Sequence, residues 1–227
     1  MSVHDGHRSR RKELFLKQGL DAFADHEALE LLLFYTLPRV DTNPLAHRLL
    51  EQFGSLEGVF SATAAELEKV EGVGENAALL LSLIFPLTRR ARTSDFAHPV
   101  ILNTTQEVGD YLIQVFCGVR GESLYELCLD AKNKLLRCYK VASGGADAVN
   151  ISLRAILEKA LECNASKVIL AHNHPSGVAL PSEDDKATTV IVREALETIG
   201  VELVDHIIVA DNDFVSMYES RMVAAND

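Results

Sequence analysis

The sequence predicts two domains: an all-α one over residues 1–95, then an α/β one with a mixed sheet over residues 100–227. Three observations predict it. Up to about residue 92 the apolar residues recur at helical spacing, with no alternating strand pattern among them. "TSDFAHPV" then breaks the pattern and marks a linker near residues 93–99. Beyond it, short alternating or fully apolar runs take turns with helical ones, as expected when helices pack on a mixed sheet.

The bulk numbers set limits. A chain of 227 residues, 48% of them apolar, can build a proper core and is not expected to be disordered. No apolar run reaches the ~18 residues a membrane helix needs. The opening "MSVHDGHRSRRKELFLKQ" has no apolar stretch of the signal-peptide kind, so a cytoplasmic protein with no membrane partner is expected. Cys117, Cys128, Cys138 and Cys163 form no CxxC pair, which speaks against a thiolate zinc site and for buried free thiols. The formal net charge of −11 excludes a generic nucleic-acid coat. The acid is uneven: the first 95 residues hold 11 Lys and Arg against 14 Asp and Glu, the remainder 11 against 19. If either part meets DNA, it is the first.

Within the first domain, "DHEALELLLFYTL" reads as a helix capped by Asp25. "NPLAHRLLEQFG" reads as a helix with Asn43 as N-cap, Pro44 at the first helical position and a stop at Gly54. "LEKVEGVGENAA" resembles a helix-hairpin-helix, with two helical segments joined at Gly72, Val73 and Gly74. Such a turn can expose backbone N–H groups to phosphate, so these residues are the candidate DNA contacts. Glu71 and Glu75 flank the turn and repel phosphate; the basic residues lie at Arg8, Arg10, Arg11 and Lys12 and at Arg89, Arg90 and Arg92. A plain inter-helix turn, or a docking surface for a protein partner, fits the same residues.

In the second domain, "SLYELCLD", "AKNK" and "LLRCYKVA" read as a hairpin. "SLRAILEKALECN" is helical, "KVILAH" a short buried strand, and "SEDDKATTVIVREALETIG" helical again. "VELVDHIIVA" and "FVSMYES" read as strands. The chemistry concentrates in "LAHNHPSGVALPSEDD". His172 and His174 stand two apart in an extended segment, so both imidazoles reach the same side. Pro175 and Gly177 turn the chain, and Asp185 lies in the first turn of the helix that begins at Ser182. Two histidines and one carboxylate match a zinc site with one position left for water, the layout of a catalytic rather than a structural site. The plain alternative is a capping box, with Ser182 as N-cap and Asp185 at N3, which competes for the same carboxylate.

His172, Asn173, His174, Pro175, six residues, Ser182, two residues and Asp185 match the JAMM signature of JAB/MPN+ metallohydrolases in full. "HNHPSG", with "GHRSRRKELFL", "PRVDTNPLAHRLLEQFGSL", "VEGVGENAA", "LDAKNKLL" and "DHIIV", resembles the RadC family over nearly the whole chain. Members of that family carry a historical DNA-repair label. The resemblance implies a JAB/MPN fold, Zn(2+) held by His172, His174 and Asp185, and hydrolysis of a peptide or isopeptide bond in an unknown peptide or protein substrate. It further implies a glutamate base eight residues before the aspartate of "LDAKN", which is Glu122. Glu126 is the competing carboxylate, four residues on and on the same strand face. Ser182 is the expected hydrogen-bond donor to the developing oxyanion. The alternative function is a DNA-binding accessory protein with a structural or vestigial metal site. The chain departs from the family pattern at Gly144-Gly145, at Leu153-Arg154-Ala155 and at Val178, which bears on the substrate groove rather than on the proposed ligands.

Overall fold

A computed structural model describes residues 3–93, 99–143 and 153–222, with side chains from residue 6 onward. The chain divides into two compact units, Met1–Thr88 and Arg89–Asp227. Most of the linker reading, at residues 94–98, and Gly144-Gly145 lie outside the described residues. Among the described residues no helix is long and apolar enough to cross a membrane.

The first unit is helical: α1 (Val3–Gln18), a single 3-10 turn (Leu20–Ala22), α2 (Asp25–Leu33), α3 (Asn43–Phe53), α4 (Leu56–Ser61), α5 (Ala64–Leu67) and the start of α6 (Glu75–Thr93). Its core is aliphatic, built on Leu29, Leu33, Leu45, Leu49, Val59, Leu67 and Leu81. Each such leucine contributes roughly 1.5–3 kcal/mol by leaving water. The helix starts differ by one residue from the expected ones. Asp25 is the first helical residue rather than the cap, and Glu27 reaches back to accept from the N–H of Ala24 at 3.1 Å. Asn43 likewise sits inside α3, with Thr42 as the cap residue. Gly54 ends α3 with φ of 81°, where only glycine is unstrained. Three basic residues of α1 are engaged within the unit: Arg8 donates to the carbonyl of Leu37 at 2.7 Å, Arg11 pairs with Glu27, and Lys12 lies over the Tyr35 ring.

The second unit is a mixed five-stranded sheet in the order β2-β1-β3-β4-β5. The strands are β1 (Ser123–Leu129), β2 (Leu135–Ser143), β3 (Lys167–Asn173), β4 (Glu202–Ala210) and β5 (Asp213–Ser216). Only the β3–β4 pair is parallel. Parallel neighbours need a crossover, which α9 (Glu183–Thr198) supplies. The helix α8 (Leu153–Glu162) joins β2 to β3. In this unit one helix escaped the sequence reading: α7 (Thr105–Phe116), capped by the Thr104 hydroxyl, which accepts from the N–H of Glu107. It covers one sheet face through Val108, Leu112 and Phe116 against Leu127, Ile169 and Ile207. On the other face α8 and α9 pack Ile156, Ala160, Val192 and Leu196 against Cys128, Val168 and Leu170. Helices on both faces explain why β3 reads as a continuous apolar run. The β1–β2 turn is held by the Asp130 carboxylate, which accepts from the N–H of Lys132 and of Lys134.

Two core positions carry predictions. A Cβ on Gly109 of α7 would lie 2.1–2.4 Å from three ring carbons of Phe214. Gly109→Ala should destabilise the fold by about 1–3 kcal/mol, read as a lower denaturation midpoint; an unchanged midpoint refutes this packing. Glu126 is fully buried, and among the described residues only the Cys128 thiol donates to it, at 3.4 Å. Burial pushes its carboxyl up from 4.5 to about 7. The fold therefore favours the neutral acid. That contribution is complete below pH 4.5 and is lost as pH rises to about 7. Glu126→Gln should remove this dependence, gaining roughly 3 kcal/mol on the wild type between pH 4.5 and pH 8. Urea midpoints at the two pH values test it, and a constant difference refutes it.

Candidate metal centre

The site lies where three strand ends meet: the start of β1 and the ends of β2 and β3. A cavity of about 500 Å³ opens there, lined among others by Glu122, Ala142, His172, His174, Ser182, Asp185 and His206. This size suits a bound peptide segment or small molecule.

His172 is the last but one residue of β3 and is paired with Leu124. His174 follows the strand, its N–H held by the carbonyl of Val209 at 2.8 Å. The Nε2 atoms of the two rings stand 2.8 Å apart. Asp185 approaches from α9, with Oδ1 3.2 Å from His172 Nε2 and Oδ2 3.7 Å from His174 Nε2. These three groups offer donor atoms within 4.8 Å of one another, the only such cluster among the described residues.

The capping and ligand roles of Asp185 were expected to compete. The structure puts the cap on one carboxylate oxygen and turns the other toward His172. Oδ2 accepts from the N–H and the hydroxyl of Ser182, at 2.7 and 2.6 Å, while Oδ1 is the oxygen nearer His172. The Ser182 hydroxyl thus spends its one proton on Asp185 and accepts from the Asp185 N–H at 3.2 Å. In this arrangement it caps α9 and orients the carboxylate.

Protonation follows from burial and neighbours. Burial pushes His172 down to about 4, against the opposing pull of the Asp185 charge. Burial raises the Asp185 carboxyl, but the Ser182 hydrogen bonds and His172 outweigh it and hold the group below the usual range. The result is a neutral imidazole beside an ionised carboxylate. That donor set fits a divalent ion that accepts nitrogen and oxygen, since metal ligands must be deprotonated.

Glu122 stands just before β1, exposed, two residues from Leu124 and so on the His172 side of the sheet. It lines the cavity. Glu126 shares that face but is paired with Leu170, deeper in the sheet, and does not line the cavity. Gly72, Val73 and Gly74 lie in the helical unit. Gly72 takes φ of 95° and is exposed, as is Gly74, while Val73 is buried and its N–H is spent on the carbonyl of Val70.

Two residues at the site were missed from sequence. Asn173, between the histidines, accepts from the N–H of Ser123 at 2.9 Å and donates to the carbonyl of Gly121 at 3.2 Å. It therefore grips the backbone on both sides of Glu122. His206, from β4, brings its Nε2 to 2.9 Å from His172 Nδ1. Burial pushes it down to about 3. Asn173 stands inside the motif and His206 inside "DHIIV", so both were visible as letters; nothing in the spacing says what they touch.

Comparison with known proteins gives the chain a family. The RadC-like JAB domain model matches residues 102–222. A UPF0758 protein of Rhodobacter capsulatus is 39% identical over 87% of this chain and 92% of its own length. One of Fusobacterium nucleatum subsp. nucleatum is 33% identical over 97% and 98%, and one of Ruegeria pomeroyi 36% identical over 89% and 91%. With this match across the sheet, its helices and the histidine segment, the chain belongs to the family of RadC-like JAB domain proteins.

Proposed function

We propose that this chain is a zinc-dependent hydrolase of peptide or isopeptide bonds. The observation that carries the reading is the convergence of His172, His174 and Asp185 on one wall of a cavity that Glu122 also lines. His172, His174 and Asp185 would hold the ion. Zinc, when bound, supplies a Lewis acid that makes hydroxide available from water near neutral pH.

The remaining work falls to the protein's own groups. The Glu122 carboxylate takes the proton of the attacking water and returns it to the nitrogen of the leaving amine. Such proton transfer contributes about 10²–10⁴-fold. Asn173 fixes the backbone from Gly121 to Ser123 and so limits where that carboxylate can reach. Ser182 keeps Asp185 ionised and aimed.

Purified protein supplied with zinc should hold about one ion per chain, and His174→Ala should abolish this; a wild type without stoichiometric zinc removes the reading. Hydrolysis is screened on a panel of peptides and isopeptides. Glu122→Gln should keep zinc and lose about 10²-fold or more in rate, whereas Asp185→Asn should lose zinc and rate together. Glu126→Gln should leave the rate unchanged, because Glu126 lies outside the cavity. An active Glu122→Gln beside an inactive Glu126→Gln would mean that the base is the buried carboxylate.

A further inference from the structure

We infer that His206 and Thr189 are positioning residues, which place the proton of His172 on Nδ1 and leave its Nε2 bare for the metal. This rests on the reading of His172 as a metal ligand.

The argument is a count of protons. Thr189, on α9, has its hydroxyl oxygen 2.6 Å from the carbonyl oxygen of Asp185 and 2.6 Å from His206 Nδ1. A carbonyl only accepts, so the one hydroxyl proton must lie toward Asp185. The same oxygen then accepts from His206, whose Nδ1 carries a proton. His206 is wholly buried and neutral, so its Nε2 has none. His206 Nε2 therefore accepts from His172 Nδ1, 2.9 Å away. A neutral His172 protonated at Nδ1 has a free lone pair at Nε2, the atom nearest His174 and Asp185. The opposite assignment fails at the far end. If His206 donated from Nε2, its bare Nδ1 would face a threonine lone pair at 2.6 Å.

His174 reaches the same state by a separate route. Its Nδ1 lies 3.1 Å from the carbonyl of Val178, which again only accepts. Two histidines thus present bare Nε2 atoms to one point, 2.8 Å apart, each with its proton committed to a different acceptor; the two lone pairs face one another, and a cation between them would satisfy both. The chain from the Asp185 carbonyl through Thr189 and His206 also ties the helix that carries the carboxylate to the strand that carries the histidine.

Partners of this kind are generally worth 10–100-fold in metal affinity. Thr189→Val keeps the shape but gives His206 no acceptor. It should weaken zinc binding about tenfold or more, measured by competition with a chromophoric chelator. Thr189→Ser restores the hydroxyl and should bind like the wild type. Independently of any variant, nitrogen-15 spectra of the zinc-free wild type should show His172 protonated at Nδ1 and bare at Nε2. The inference is overturned if His172 is protonated at Nε2 there, or if Thr189→Val binds zinc as tightly as the wild type. A wild type with the expected tautomer that binds no zinc overturns the metal reading itself, and with it the role given to these residues.

Discussion

Asn173 occupies the last position of β3 and spends both halves of its amide on the segment opposite, at Ser123 N–H and Gly121 carbonyl. It is buried, so these bonds have no competition from water. The two histidines on either side of it are thereby held beside the start of β1, and Glu122 is held on the wall of the same cavity. The alternation of a strand does the rest: if Asn173 points into the sheet edge, His172 and His174 must point the other way, together. The cavity, the cluster and the placement of Glu122 all follow from this pairing of β1 with β3.

Burial then decides the charge state. An exposed histidine is partly protonated near neutral pH and repels a cation. His172 and His206 are kept neutral by the layer of α9 and the sheet around them. Asp185 sits at the helix N-terminus, where the dipole and the Ser182 hydrogen bonds favour its charge. The capping box and the candidate ligand turn out to be one device. A carboxylate has two oxygens, and locking one onto the helix end sets the direction of the other.

The helical unit obeys a different economy. Its sequence gathers basic residues near the N-terminus, yet Arg8, Arg11 and Lys12 are engaged with α2 and the turn after it. Glu30, buried in the same region, accepts from His7. These charges hold α1 in place, a structural use that composition does not distinguish from a nucleic-acid patch. The glycine turn before α6 is likewise anchored by the buried Val73.

Much of this protein was legible as letters. Periodicity separated helices from strands, because the spacing of apolar residues is set by the geometry of each element. The order of histidines, serine and aspartate placed the candidate ligands at one strand end, because the strand, turn and helix that carry them are consecutive. The helix α7 was written in the letters too, as a capping box at Thr104 and Glu107 and as Val108, Leu112, Val115 and Phe116 at helical spacing, though Gly109, which makes room for Phe214, interrupts the pattern. What the sequence by itself determined was which residue types converge. Only the tertiary structure decided between Glu122 and Glu126 for the cavity wall, because both share a face and differ only in depth along the pairing with β3. It alone brought His206 and Thr189 to His172, since hydrogen bonds between elements depend on how a helix settles on a sheet, and no spacing along the chain encodes that.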